Sequence, residues 1–285
     1  MSLFSHPAER RTLLYLLAIS ALMVLHWQLG HWSALLTLLS IAGAFAVSAM
    51  HHNHAHHPIW RHTGLNRLTD YWYVLLQGHP GFAFAPLHVG SHHEHHNGPQ
   101  DLTRTYRFRA GNDLVGLLRH PAEFSYVALG QMAVYLRRSW ATNRVVVWHA
   151  LGQYGLLIGM DGGLLLLDWR RALYCVIVPQ AAALFFLLAS NYFQHAGGEG
   201  ESEWNHARNF TGAINPLCFN VGYHTAHHYR PQAHWSELPS VHREIAANIA
   251  PALIERSFVA YCWRRFIVPA GLQSQPSHRQ EHNHG

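Results

Sequence analysis

Charge is what this chain has least of. Asp, Glu, Lys and Arg make up 12% of its 285 residues, against about 25% in an ordinary soluble domain. The deficit excludes a well-solvated surface all round, and the hydrophobic fraction of 49% points to lipid as the other solvent. Cysteine is nearly missing too: Cys175, Cys218 and Cys262 are few, odd in number and far apart. That rules out a disulfide framework and any zinc or iron–sulfur site built on thiolates. The formal charge of +5 is carried by Arg residues beside apolar runs, not along a basic stripe, so nucleic acid is not an expected partner. No His-Glu-x-x-His motif occurs, which excludes the common zinc-peptidase arrangement. No internal repeat supports a transporter built from inverted halves.

Long apolar runs are present, and they predict an all-α integral membrane protein with four transmembrane helices over 12–30, 33–50, 145–167 and 172–190. Each approaches the roughly 20 residues needed to cross hydrocarbon. Gly30 and His31 leave room only for a tight connection between the first two. Arg10 and Arg11 precede a retained anchor rather than a cleaved signal, because no small-residue cleavage site follows. With Arg61 and Arg67 they place the chain's start and the end of the second helix in the cytoplasm, whereas Arg170 and Arg171 fall on the opposite side against the charge rule. Gly78, Pro80, Gly81 and Pro86 make 71–90 an interfacial or re-entrant segment. Residues 119–140 read as an amphipathic surface helix. Pro239 is expected to stop one segment and 240–263 to form a further helix through Ile245, Ile249, Leu253 and Phe258. The domain extends over 1–270, and the polar tail 271–285 carries His278, His282 and His284 as solvated residues. His79-Pro80-Gly81 superficially matches a cytochrome b5 haem loop, but Phe82 replaces the second glycine of that motif.

The abundant residue is histidine, 27 in all. Three clusters lie between the apolar runs, and neutral imidazole is a good iron or zinc ligand. His52 and His56 stand at i, i+4. His92, His95 and His96 have i, i+3, i+4 spacing, which on an α-helix gives one face, and His224, His227 and His228 repeat it. Asn191 and His195 add a fourth pair after the last apolar run. Ligand sets of soluble four-helix di-iron bundles contain inward Glu residues, and this one is almost wholly histidine.

These boxes, His52-Asn53-x-x-His56, His92-x-x-His95-His96 and His224-x-x-His227-His228, with Asn191-x-x-x-His195 between the last two, resemble those of the membrane fatty-acid desaturase and hydroxylase superfamily. The resemblance runs from the first hydrophobic hairpin to about residue 240. It implies a cytoplasmic histidine-rich domain holding two iron ions, with molecular oxygen as cosubstrate. The ligands it implies are His52, His56, His92, His95, His96, His195, His224, His227 and His228, with Asn191 reaching the metal through water. A four-residue gap in the first box would put His57 in place of His56. His51, His54, His57, His88 and His93 otherwise lie outside the ligand set, His88 and His93 as supports for the second box. Glu94, Asp101, Glu199 and Glu203 are within reach to orient ligand imidazoles, and His206, Arg208 and Asn209 are candidates for a donor contact or for organising the third box.

The expected activity is oxygen-dependent desaturation of a fatty acyl chain. The alternatives on the same scaffold are hydroxylation, carotenoid ketolation or hydroxylation, and decarboxylation of a fatty acid to a terminal alkene. A membrane metal-binding or transport protein is the non-enzymatic alternative. Trp148, Tyr154, Tyr174, Phe185 and Phe186 are candidate linings for an apolar channel. Electrons are expected from a separate ferredoxin, rubredoxin or cytochrome b5 with its reductase. The expected location is a bacterial inner membrane or another cytoplasm-facing membrane.

Overall fold

The computed structural model describes residues 2–268, so the tail 271–285 and its histidines lie outside the described residues. Helix α1 (Glu9–Leu29) ends where Gly30 takes a left-handed conformation, φ 76°, a geometry that favours a residue without Cβ. The Ser33 hydroxyl accepts the Leu36 N–H to start α2 (Ala34–His56), and His26 Nε2 accepts the Ser33 N–H at 3.2 Å. These bonds close the tight turn expected from sequence. The apolar body of α2 continues without a break into its histidines, so the first box rides on the last turns of a rigid helix.

Helix α3 (Thr63–Gln77) packs back against α1 and α2, with Trp72 Nε1 donating to Ser20 Oγ. The segment expected to be re-entrant follows. A turn of 3-10 helix (Gly81–Ala83) leads into nine residues of π-helix (Phe84–His92), whose Phe84 and Leu87 are buried. Pro86 has no amide hydrogen and lies in the first turn of this segment, where none is needed. A single turn, α4 (His93–His95), stops at His96 and Asn97, both left-handed. Helix α5 (Leu114–Thr142) starts at Asp113, whose carboxylate accepts the Gly116 N–H. It covers the residues 119–140 expected to be helical, and Leu118, Tyr126 and Leu129 are exposed along it.

Three helices among the described residues are long and apolar enough to cross a membrane: α1, α2 and the stretch Arg144–His195. Four separate apolar helices were expected; the last two run together. This stretch comprises α6 (Arg144–Ala172), a π turn (Leu173–Ile177) and α7 (Val178–His195), with a break at Asp168, φ −158° and ψ 94°. Asp168 Oδ1 accepts the N–H groups of Arg170 and Arg171, as an N-cap does. Gln180 Nε2 donates to Asp161 Oδ1 at 3.2 Å and to the Leu75 carbonyl at 3.0 Å. Residues 19 apart on a straight helix would be about 28 Å from each other, so the chain doubles back at Asp168. Leu14, Val24, Leu35, Leu38, Ile158 and Leu166 are exposed along these helices, as lipid-facing side chains would be.

Beyond α7 the chain wraps the histidines in short elements. A two-residue parallel pair joins β1 (Asn209–Phe210) to β2 (Ile254–Glu255), and between them lie α8 (Ile214–Leu217), α9 (His224–Tyr229) and α10 (Leu238–Ile245). The helix expected over 240–263 is broken. Ala246–Asn248 and Pro251–Leu253 are 3-10 turns, and α11 (Phe258–Cys262) restarts at the Ser257 cap. The α ladder ends at Ile245, and Pro251 opens the second 3-10 turn. Pro239 sits in the first turn of α10 instead of stopping a segment, where its missing N–H costs nothing.

Candidate metal centre

Nine imidazoles from five elements converge in two groups. The first holds His52 and His56 from α2, His88 from the π-helix, His93 from α4 and His227 from α9; the second holds His92, His195, His224 and His228. Within each group one ligand atom per residue lies within 4.8 Å of all the others. The groups share α9, which sends His224 and His228, four residues apart, to one and His227 to the other. They also touch: His93 stacks on His228 with ring centroids 4.4 Å apart.

The π-helix decides the second box. Its defining bond runs from the His93 N–H to the His88 carbonyl, so residues five apart fall on one face. His88 and His93 therefore meet, Nε2 to Nε2 at 3.0 Å, while His92 turns to the other group. The single-face arrangement of His92, His95 and His96 expected from α spacing does not form. His95 lies in neither group, and His96, left-handed at φ 47°, stacks on His206 at 4.8 Å beside His228. The first box takes the His52 and His56 register, because α2 ends there and His57 is extended, φ −132°. His51 stacks on Tyr73 and bonds Gln77 Oε1, while His54 pairs with Asp70 at 3.3 Å and accepts the Ile59 N–H.

The donor set fits metal. Nε2 atoms approach one another at 2.7 Å (His52 and His88), 3.0 Å (His227 and His93), 2.8 Å (His195 and His224) and 3.2 Å (His228 and His224). Nitrogens bound about 2.1 Å from one ion and at right angles would be about 3 Å apart. Buried His56 has no partner at either nitrogen, and His93 and His228 have none at Nδ1. Burial, reinforced by neighbouring imidazoles, holds His88, His93, His224, His227 and His228 well below the usual histidine range. They stay neutral, with lone pairs to offer.

Two tautomers are fixed from behind. His92 Nδ1 donates to Asp101 Oδ2 at 2.7 Å, and His195 Nδ1 donates to the His206 carbonyl at 2.9 Å. Both therefore present Nε2 lone pairs inward. Asp101 is fully buried and also accepts the Asn97 and Thr103 N–H groups and the Thr103 hydroxyl. Burial alone would raise its pKa; the His92 imidazole and these donors outweigh that and hold it below the usual carboxylate range. Thr103 Oγ1 in turn accepts from Asn191 Nδ2 at 3.2 Å, leaving buried Asn191 Oδ1 without a partner. Glu94, Glu199 and Glu203 are exposed. Asn209 pins the start of α9 by accepting the Thr225 N–H and donating to its hydroxyl, and Arg208 bonds the Ala196 carbonyl and Tyr261.

An apolar cavity of about 290 Å³ opens onto this centre. His52, His88, His92, His224 and Asn191 line it together with Phe84, Phe124, Ala128, Met132, Leu157 and Leu184. Of the aromatics expected to line a channel, Tyr154 is there, whereas Trp148 is exposed.

The family model described as "Fatty acid desaturase" matches residues 12–259. No curated protein matches the chain at a significant level.

Proposed function

We propose, from the premise that the chain belongs to the fatty acid desaturase family, that it is an oxygen-dependent non-haem di-iron enzyme that removes hydrogen from a lipid acyl chain to form a carbon–carbon double bond. The observation that carries this reading is the apolar cavity whose wall includes residues of both histidine groups and Asn191. An acyl chain lying there brings an unreactive methylene to the imidazoles with no polar partner to satisfy.

His52, His56, His88, His93 and His227 would hold one iron, and His92, His195, His224 and His228 the other. His95 and His96 stand outside this set. Bound iron supplies the activation of molecular oxygen. The chain's own residues do the rest. Asp101 and the His206 carbonyl keep His92 and His195 in the tautomer that faces inward, Thr103 holds the Asn191 amide, whose oxygen would reach the metals through water, and the Phe84, Phe124 and Met132 side chains exclude bulk water.

Crossing twice through α1 and α2 and twice through the limbs of Arg144–His195 would bring both histidine-bearing ends to one face. The Arg171 guanidinium beside Gly30 supports this, since it sets the Asp168 bend next to the α1–α2 turn. By the positive-inside rule, Arg10, Arg11, Arg61 and Arg67 support a cytoplasmic histidine face. Electrons would come from a separate ferredoxin, rubredoxin or cytochrome b5.

Lipids and hydrocarbons of cells expressing the intact chain or His227→Ala, grown with ample or limited oxygen, test the reading by mass spectrometry. Oxygen-dependent loss of two hydrogens from an acyl chain is the expected product change. A gain of one oxygen atom would make the protein a hydroxylase or ketolase, and a shorter terminal alkene a decarboxylase. No difference, with iron bound and an electron donor supplied, would refute lipid oxidation.

A further inference from the structure

A third group of potential ligands lies apart from the nine histidines: Glu9 at the start of α1, His57 just past α2 and His234 in the loop after α9. Their ligand atoms are within 4.8 Å of one another. Glu9 and His234 are each 2% exposed, and Glu9 Oε1 lies 2.8 Å from His234 Nε2. Glu9 Oε2 is buried with no partner. A carboxylate so placed needs a cation that reaches both oxygens, or it bears a large desolvation cost. Arg11, two residues on and turned to another face of α1, is not that cation. Arg11 donates to the Pro216 carbonyl and lies over the Phe219 and Trp235 rings.

We propose that Glu9, His57 and His234 bind a third metal ion, a divalent transition metal for which zinc is the fitting occupant. Two imidazoles and one carboxylate are a known zinc donor set, with the remaining position left to water. Calcium or magnesium would want oxygen ligands throughout. The local structure is arranged for it. His57 diverges from His56 because the helix has ended, which aims consecutive histidines at different sites. His234 Nδ1 faces Ser236, with the hydroxyl at 2.7 Å and the backbone N–H donating at 3.2 Å, which turns Nε2 towards Glu9; an ion there would take the place of the proton that Nε2 otherwise gives to Glu9. His6 stacks on His234 with centroids 3.8 Å apart and shields it.

Such an ion would tie three segments distant in sequence. His57 follows the first box by one residue, and His234 follows His228 by six, so the ion fixes the α2 end of the centre against its α9 end. Its role is structural and independent of the di-iron reading.

The full-length protein, produced with iron and zinc in the medium, is assayed for metal ions per chain alongside Glu9→Gln and His234→Ala. The expected result is one zinc fewer in each variant with iron unchanged, and a zinc-edge X-ray absorption spectrum of the wild type containing both imidazole and carboxylate oxygen. Equal zinc in all three proteins overturns the proposal. So does a wild type without zinc, which would make Glu9 and His234 a hydrogen-bonded pair only, or a zinc spectrum of imidazole alone, which would put zinc in the nine-histidine centre. If the variants fail to fold, the wild-type spectrum decides by itself. Iron bound at the nine histidines is read separately, so the two assignments can fail apart.

Discussion

Replacing Asp101 by Asn should strip one metal and spare the other. The substitution keeps shape and burial but converts an acceptor of four hydrogen bonds into a side chain with one oxygen and one NH2. Oδ2 serves His92 Nδ1 and the Asn97 N–H, whereas Oδ1 serves the Thr103 N–H and hydroxyl. The better orientation leaves the amide oxygen on His92 and turns NH2 towards Thr103. The hydroxyl can then accept, but the buried Thr103 N–H faces another donor, a penalty of about 1–3 kcal/mol. His92 keeps its tautomer but loses the anionic partner that raises its basicity. Loss of such a partner weakens metal binding by roughly 10–100-fold, or about 1.4–2.8 kcal/mol.

His92 belongs to the four-histidine group alone, so the effect should be lopsided. Iron retained per chain, measured under graded chelator competition, should show one ion leaving at roughly 10–100-fold lower chelator than in the wild type, with the second unchanged. Retention of both ions at wild-type concentrations would refute the role given to Asp101. Simultaneous loss of both from a protein that still melts cooperatively would refute the division of ligands into two groups.

Three further outcomes follow from the same geometry. His93→Ala should lower the affinity of the five-histidine site by more than about a hundredfold while His95→Ala leaves both metals in place, since His93 meets His88 and His227 and His95 lies in neither group; metal content of the two variants checks the π-helical register. Ala128→Phe, on the wall of the cavity and 6% exposed, should cut turnover at least tenfold with metal content intact, at a stability cost of about 1–3 kcal/mol from overpacking; unchanged turnover and chain-length preference would remove the cavity as the substrate site. Burial pushes His79 down to about 4 from an ordinary 6.5, so below pH 6.5 the unfolded chain binds the extra proton. Its contribution is complete above 6.5 and falls as pH drops, levelling near 4, for a total of about 3 kcal/mol. Melting of His79→Gln from pH 7 to 4 should accordingly show a shallower acid limb than the wild type.

What the sequence made legible is what α-helical spacing controls. Apolar runs located α1 and α2, and His52, His56, His224, His227 and His228 could be paired by i, i+3 and i+4 because α2 and α9 are α-helices. The second box defeated that logic. From Phe84 to His92 the backbone widens to a π-helix, the period becomes five, and His88 and His93 lie in the histidine groups where His95 and His96 were expected. The signal was in the chain: three histidines at i, i+4 and i+5. A five-residue period is rare enough that only the packed structure selects it. Asp101 was legible as a nearby acid but not as the one that matters, since Glu94, Glu199 and Glu203 are also near and differ from it in burial alone. Burial is a property of the closed fold. The reversal at Asp168 falls in the gap between the expected crossings 145–167 and 172–190, five residues past the Gly162-Gly163 pair, where a carboxylate can cap the returning limb. Glycine permits a break, but the hydrogen bonds that satisfy the broken ends decide where it occurs.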